Sequence, residues 1–127
     1  MRKVIITDSS LRDGNHSVKH TISLDSIARY CQFADKAGVP IVEVGHGNGL
    51  AASSLLVGKS VNTDEEMLTV ARKNLKNSKL GIHMIPGLAT LEHTRKAIDL
   101  GVDVVRVATH CTEATLSKSH IEALAKA

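Results

Sequence analysis

Four short apolar runs, KVIIT (3–7), PIVEVG (40–45), LGIHMI (80–85) and DVVRVAT (103–109), recur along the chain, and a segment with helical spacing follows each one. That alternation constrains the fold more than any other feature. Strands separated by helices run parallel, because each crossover returns the chain to the end it left. Right-handed crossovers place the helices outside the sheet. The spacing therefore predicts β-α-β-α-β-α-β-α. A complete (β/α)8 barrel takes about 250 residues, so 127 residues amount to close to half of one. The expected fold class is α/β, a (β/α)4 half of a TIM barrel with parallel strands and outer helices. A small flavodoxin-like sheet is the rival architecture.

The helix limits are marked locally. Ser23 is placed to cap a helix over 24–37, where Leu24, Ile27, Cys31 and Ala34 follow the 3-4-3 spacing, and Gly38 follows as a stop. Thr63 and Glu66 match a capping box, with Met67, Val70 and Ala71 facing inward behind it. Thr90 and Gly101 bracket a third helix, and Ser117 begins a fourth.

Composition limits the partners. Apolar residues make up 43% of the chain, but it has one Tyr, one Phe and no Trp. The core must be aliphatic, and the aromatic platform used for single-stranded nucleic acid is missing. The net charge of +3 is scattered. No apolar stretch reaches the ~20 residues of a membrane span. Neither nucleic acid nor membrane is an expected partner. Cys31 and Cys111 do not form a zinc-type pair, and Cys31 reads as a buried free thiol. A strand beginning at residue 3 leaves no room for a signal peptide. A reducing, cytoplasmic setting is expected.

Strand parity places two charges inside. Ile41, Glu43 and Gly45 share one face of their strand, and Val42 and Val44 share the other. If the valines pack on helices, Glu43 points inward. The same count turns Arg106 inward on the fourth strand, and His83 and Ile85 on the third. Alternate barrel strands contribute to the same side-chain layer. An ion pair between Glu43 and Arg106 is expected, since an unpaired buried charge is costly.

The loop SSLRDGNHSVKH (9–20) holds the reactive groups. Active sites of parallel α/β proteins gather at the carboxyl ends of the strands. Asp13 is a carboxylate of the type that binds Mn²⁺ or Mg²⁺. Arg12 can hold a substrate carboxylate through two hydrogen bonds. His16 carries an imidazole, a group chemically suited to moving a proton. His46, in the glycine-rich loop after the second strand, is a further candidate to line the site, as are His110 and Glu113 after the fourth. His20, His93 and His120 are expected at the surface. Gly45, Gly47 and Gly49 do not have P-loop spacing and read as a tight turn.

The string DSSLRDGNH (8–16) resembles the first-strand motif of the HMG-CoA lyase-like, or pyruvate-aldolase, metal-dependent barrels. EVGHGNGLAASS (43–54), MIPGLAT (84–90) and VVRVATHCTEA (104–114) are similar to the 4-hydroxy-2-oxovalerate aldolase family. The LRDG piece alone would also suit Claisen-type synthases of the same superfamily. The resemblance implies cleavage of 4-hydroxy-2-oxoacids to pyruvate and an aldehyde. It implies that Asp13 ligates a divalent metal, Mn²⁺ with Mg²⁺ or Co²⁺ as substitutes, that Arg12 steadies the pyruvate enolate, and that His16 is the base toward the 4-hydroxyl. Arg12, His46 and His83 are the residues expected to contact substrate, and the resemblance further implies an acylating aldehyde dehydrogenase as partner.

Two departures from the family pattern stand out. The family's other metal ligands come from a His-x-His pair on a later strand, and a catalytic tyrosine lies near its C-terminal end. This sequence has no His-x-His, and its one tyrosine is Tyr30 in the first helix. His83 replaces a leucine-like residue and reads first as a hydrogen-bonded core histidine, with a more polar substrate or a further ligand as the alternatives. The expectation is an N-terminal half-barrel, residues 1–127, truncated in or after the fourth helix. It would be inactive as a single copy and prone to self-association, with a non-catalytic α/β interaction module as the alternative.

Overall fold

The computed structural model describes residues 3–126. Its elements are β1 (Thr7–Leu11), α1 (Leu24–Lys36), β2 (Ile41–Val44), α2 (Asp64–Asn74), β3 (Lys79–Met84), α3 (Leu91–Asp99), β4 (Val104–Val107) and α4 (Ser117–Leu124), with 3-10 turns at Asp13–His16 and Cys111–Leu116. The four strands form one parallel sheet in the order β1-β2-β3-β4. Consecutive order with crossovers of one hand puts every helix on the same face. That is barrel-like connectivity, and it rules out the flavodoxin-like alternative, whose strand order reverses.

The caps act where expected. Ser23 accepts the Ser26 N–H, and Thr63 and Glu66 form the reciprocal capping box. Gly38 takes the left-handed backbone, φ 75°, just past α1. The core lies between sheet and helices: Val42, Val44, Leu80, Ile82 and Met84 pack with Ile27, Cys31, Met67, Leu68 and Ala71. The Cys31 thiol is buried, and burial pushes its pKa up to about 11. The opposite face carries Glu43, His83 and Arg106.

The first strand departs from expectation. It occupies 7–11, not 3–7, and Val4, Ile5 and Ile6 are exposed. The reason lies in the partner strand. β1 pairs from Thr7 opposite Ile41 onward. The residue before Ile41 is Pro40, which has no N–H to donate and ends the ladder there. Residues 3–6 thus pair with no strand among the described residues. The shift carries β1 up to Leu11, directly beneath Arg12.

One carboxylate organises the turn between α2 and β3. Asp35, at the end of α1, accepts the backbone N–H groups of Lys76, Asn77 and Ser78 at 2.9, 2.7 and 2.7 Å. Those hydrogen bonds, with that of the Asn77 side chain, bring its pKa down to about 2 from an ordinary 3.8. A depressed carboxylate pKa stabilises the fold above the unfolded value, and the contribution disappears as pH falls through the folded one. Asp35→Ala should lower the melting temperature at neutral pH. The gap from the parent should close between pH 3.8 and about 2. Thermal denaturation across that range reads it, and a gap that persists at the acid end would contradict the assignment.

Candidate active site

Three elements converge at the carboxyl end of the sheet: the 3-10 turn after β1, the glycine-rich loop after β2, and the inner face of β3 and β4. Arg12 is buried there. Its Nε donates to Glu43 Oε2 at 3.2 Å, and its Nη1 donates to Asp13 Oδ1 at 2.9 Å and to the Gly47 carbonyl at 3.1 Å. Nη2 has no partner among the described residues, so one edge of the guanidinium remains available to an anion.

Glu43 is the centre of the charge network. Its side chain is 2% exposed and also accepts Arg106 Nε at 2.6 Å and Nη2 at 2.9 Å. The pair spans β3, where Gly81 lies beside Glu43 in the register; a Cβ at Gly81 would stand 3.3 Å from Glu43 Cγ. Burial alone would raise the Glu43 pKa. The hydrogen bond and charge of Arg106, followed by those of Arg12, outweigh it and hold the carboxyl below its ordinary value. Sequence parity anticipated the contact with Arg106. The contact with Arg12 comes from a loop, where no periodicity points to it.

The other candidates are distributed around this pair. Asp13 has a side chain 66% exposed, at the rim. His16 is also exposed, with its ring against the backbone of Gly47: a Cβ there would overlap the imidazole. His83 is buried beside Arg106, its register partner. Burial first, then the charges of Arg106 and Arg12, lower its pKa, and its Nδ1 has no partner among the described residues. His46 is fully buried beneath the loop. His110 and Glu113 border a cavity of about 240 Å³ with Ile85, Pro86, Thr109 and Leu116.

Two further residues of the site carry no signal of their place in the sequence. Asn15 is buried and donates from Nδ2 to the Gly45 carbonyl at 3.0 Å, tying the turn to the β2 loop. His20 is not a surface residue: it is 5% exposed and stacks on His46. Its polar neighbours in sequence suggested exposure, but a left-handed backbone at Lys19 and His20 turns the ring inward. Among the described residues, no group of three or more His, Cys, Asp or Glu side chains is arranged to hold a metal ion. No described helix is long and apolar enough to cross a membrane.

A model of the HMGL-like family matches residues 3–127. The chain is 63% identical over 119 residues to a 4-hydroxy-2-oxovalerate aldolase of Spirochaeta aurantia, covering 93% of this chain and 35% of the relative. It is 54% identical over 118 residues to one of Serratia proteamaculans, covering 93% and 35%. It is 50% identical over 121 residues to one of Pectobacterium atrosepticum, covering 94% and 35%. The chain thus spans about a third of the length of these curated relatives.

Proposed function

Because the chain belongs to the HMGL-like family, we propose that residues 1–127 supply the enolate-binding and proton-transfer part of a divalent-metal-dependent aldolase acting on 4-hydroxy-2-oxoacids. The observation that carries this reading is the placing of Arg12, Asp13 and His16 on one turn at the rim of the sheet, with Arg12 anchored from behind by Glu43. The free edge of Arg12 receives the negative charge that develops on the pyruvate fragment, from a buried and preorganised position. His16 takes the proton from the 4-hydroxyl as the carbon–carbon bond breaks. The bonding electrons pass to the enolate and the aldehyde leaves.

The residues fit the implied metal only in part. Asp13 offers a hard, accessible oxygen of the kind Mn²⁺ and Mg²⁺ take. One carboxylate does not hold such an ion, so Asp13 fits as one ligand among others and these residues do not complete the site. When bound, the ion supplies Lewis acidity at the 2-oxo oxygen. An acylating aldehyde dehydrogenase as acceptor of the aldehyde, a cytoplasmic location and self-association through the outer edges of β1 and β4 belong to the same proposal. Sedimentation at rising concentration tests the last: a monomer throughout would remove it.

The test is a chimera. Residues 1–127 joined to the remaining two-thirds of the Spirochaeta aurantia relative should release pyruvate from 4-hydroxy-2-oxopentanoate with added Mn²⁺. The 127-residue chain alone should not. Arg12→Lys in the chimera should lower kcat, because a lysine cannot keep the bonds to Glu43 and Gly47 while serving an anion. A folded chimera that yields no pyruvate, or turnover by the short chain alone, would overturn the reading.

A further inference from the structure

Two buried histidines behind His16 have no part in the chemistry above. His46 donates from Nε2 to the Gly58 carbonyl at 2.9 Å and accepts the Asn48 N–H on Nδ1 at 3.0 Å. A carbonyl only accepts and a backbone N–H only donates, so His46 is the neutral Nε2–H tautomer, with both nitrogens committed. His20 lies flat on it, with ring centroids 3.7 Å apart and planes 7° from parallel. His16 meets His20 edge to face, at 5.1 Å and 74°.

The chain adopts unfavourable backbone to build this stack. Lys19 and His20 have φ of 52° and 60°. This is a region that non-glycine residues seldom occupy and that clusters at functional sites. The turn is secured by His20 N–H on the Asn15 carbonyl at 2.8 Å and by Val61 N–H on the His20 carbonyl at 3.1 Å. Gly58 closes over the far side; a Cβ there would stand 3.0 Å from His20 Nδ1. His20 Nε2 has no partner among the described residues. An imidazolium at that position would be an unpaired charge held against a neutral ring, so His20 too is neutral.

We infer that His20 is a positioning residue: carried on the neutral His46 ring, it forms a rigid aromatic wall that fixes the His16 imidazole edge-on, while the bare backbone of Gly47 closes the other side. His16 is exposed, and an exposed histidine without such a wall samples several rotamers. Held between wall and glycine, it meets a substrate hydroxyl in one orientation, which is what proton transfer requires. The significance for catalysis rests on the reading of His16 as the base; the wall itself does not.

The 127-residue chain without substrate suffices for the test. In ¹⁵N-labelled protein, His46 should show the neutral Nε2–H pattern. The His16 ring protons should show a ring-current displacement and NOE contacts to the His20 ring. His20→Ala should abolish that displacement, and His20→Phe should restore it because the flat ring is kept. In the aldolase chimera, kcat should fall about tenfold or more with His20→Ala, recover with His20→Phe, and leave KM unchanged. His16 shifts identical in parent, His20→Ala and His20→Phe would overturn the inference. So would the absence of His16–His20 contacts in the parent, a readout that needs no variant to fold. Because these signals are read without turnover, an inactive chimera with the ring-current pattern intact would count against the aldolase reading alone.

Discussion

Glu43→Ala is expected to remove about 3–5 kcal/mol of stability, the loss typical of breaking a buried ion pair from one side. Small domains are stable by only about 5–15 kcal/mol, so this one change takes a large share of what holds the chain folded. The carboxylate sits between two guanidiniums; without it Arg12 stays buried and keeps only Asp13 and a carbonyl, and Arg106 loses its partner. Arg106→Ala should cost much less. Its side chain is 47% exposed, and Glu43 would still be paired with Arg12. The dependence on pH has a definite sign. Glu43 ionises below its ordinary pKa of 4.5, so its contribution is present above that pH and is lost as acidity carries the protein through the lowered value. Parent and Glu43→Ala should therefore converge in strong acid. Urea denaturation followed by circular dichroism reads all three, and equal midpoints for parent and Glu43→Ala at neutral pH would contradict the network.

Why Glu43 and Arg106 could be paired from sequence, while Arg12 could not be added to them, is a matter of periodicity. Strand side chains alternate strictly, and parallel order sets which strands share a layer, so two counts locate both partners. Helix limits were legible for a similar reason: Ser23, Thr63 and Thr90 satisfy N–H groups within three residues of themselves. Turn residues have no such rule. Arg12 with Gly47, Asn15 with Gly45, and Asp35 with residues 76–78 are contacts across 30 to 43 positions. They exist only once the sheet has brought the loops together. The first strand begins later than its composition suggests for a related reason. KVIIT has the composition of a strand, but a strand also needs a neighbour, and Pro40 determines where that neighbour begins. For His20, polar flanking residues pointed outward, and only two left-handed residues in succession reversed the direction.

Two glycines in the same loop should respond to alanine in opposite ways, and the contrast separates activity from folding. Gly49 has φ 93°, and a Cβ there would drive into the His83 backbone carbonyl, which also accepts the Leu50 N–H at 2.9 Å. Neither the backbone conformation nor a main-chain carbonyl can yield cheaply. Gly49→Ala should cost about 1–2 kcal/mol from the left-handed conformation alone, plus the displacement of β3 from the loop. At Gly47 no positive φ is involved, and the obstructed group is the movable end of His16. Gly47→Ala should therefore leave the melting temperature nearly unchanged and swing the His16 ring out of its place. Loss of a positioned general base typically costs about 10²–10⁴-fold in rate, so in the aldolase chimera this methyl group should lower kcat by that order while the protein remains folded. The His16 ring signals in the 127-residue chain should move with it. An alanine at position 47 that leaves both those signals and turnover intact would mean that the histidine is free to reorient, and that the loop serves only as a turn.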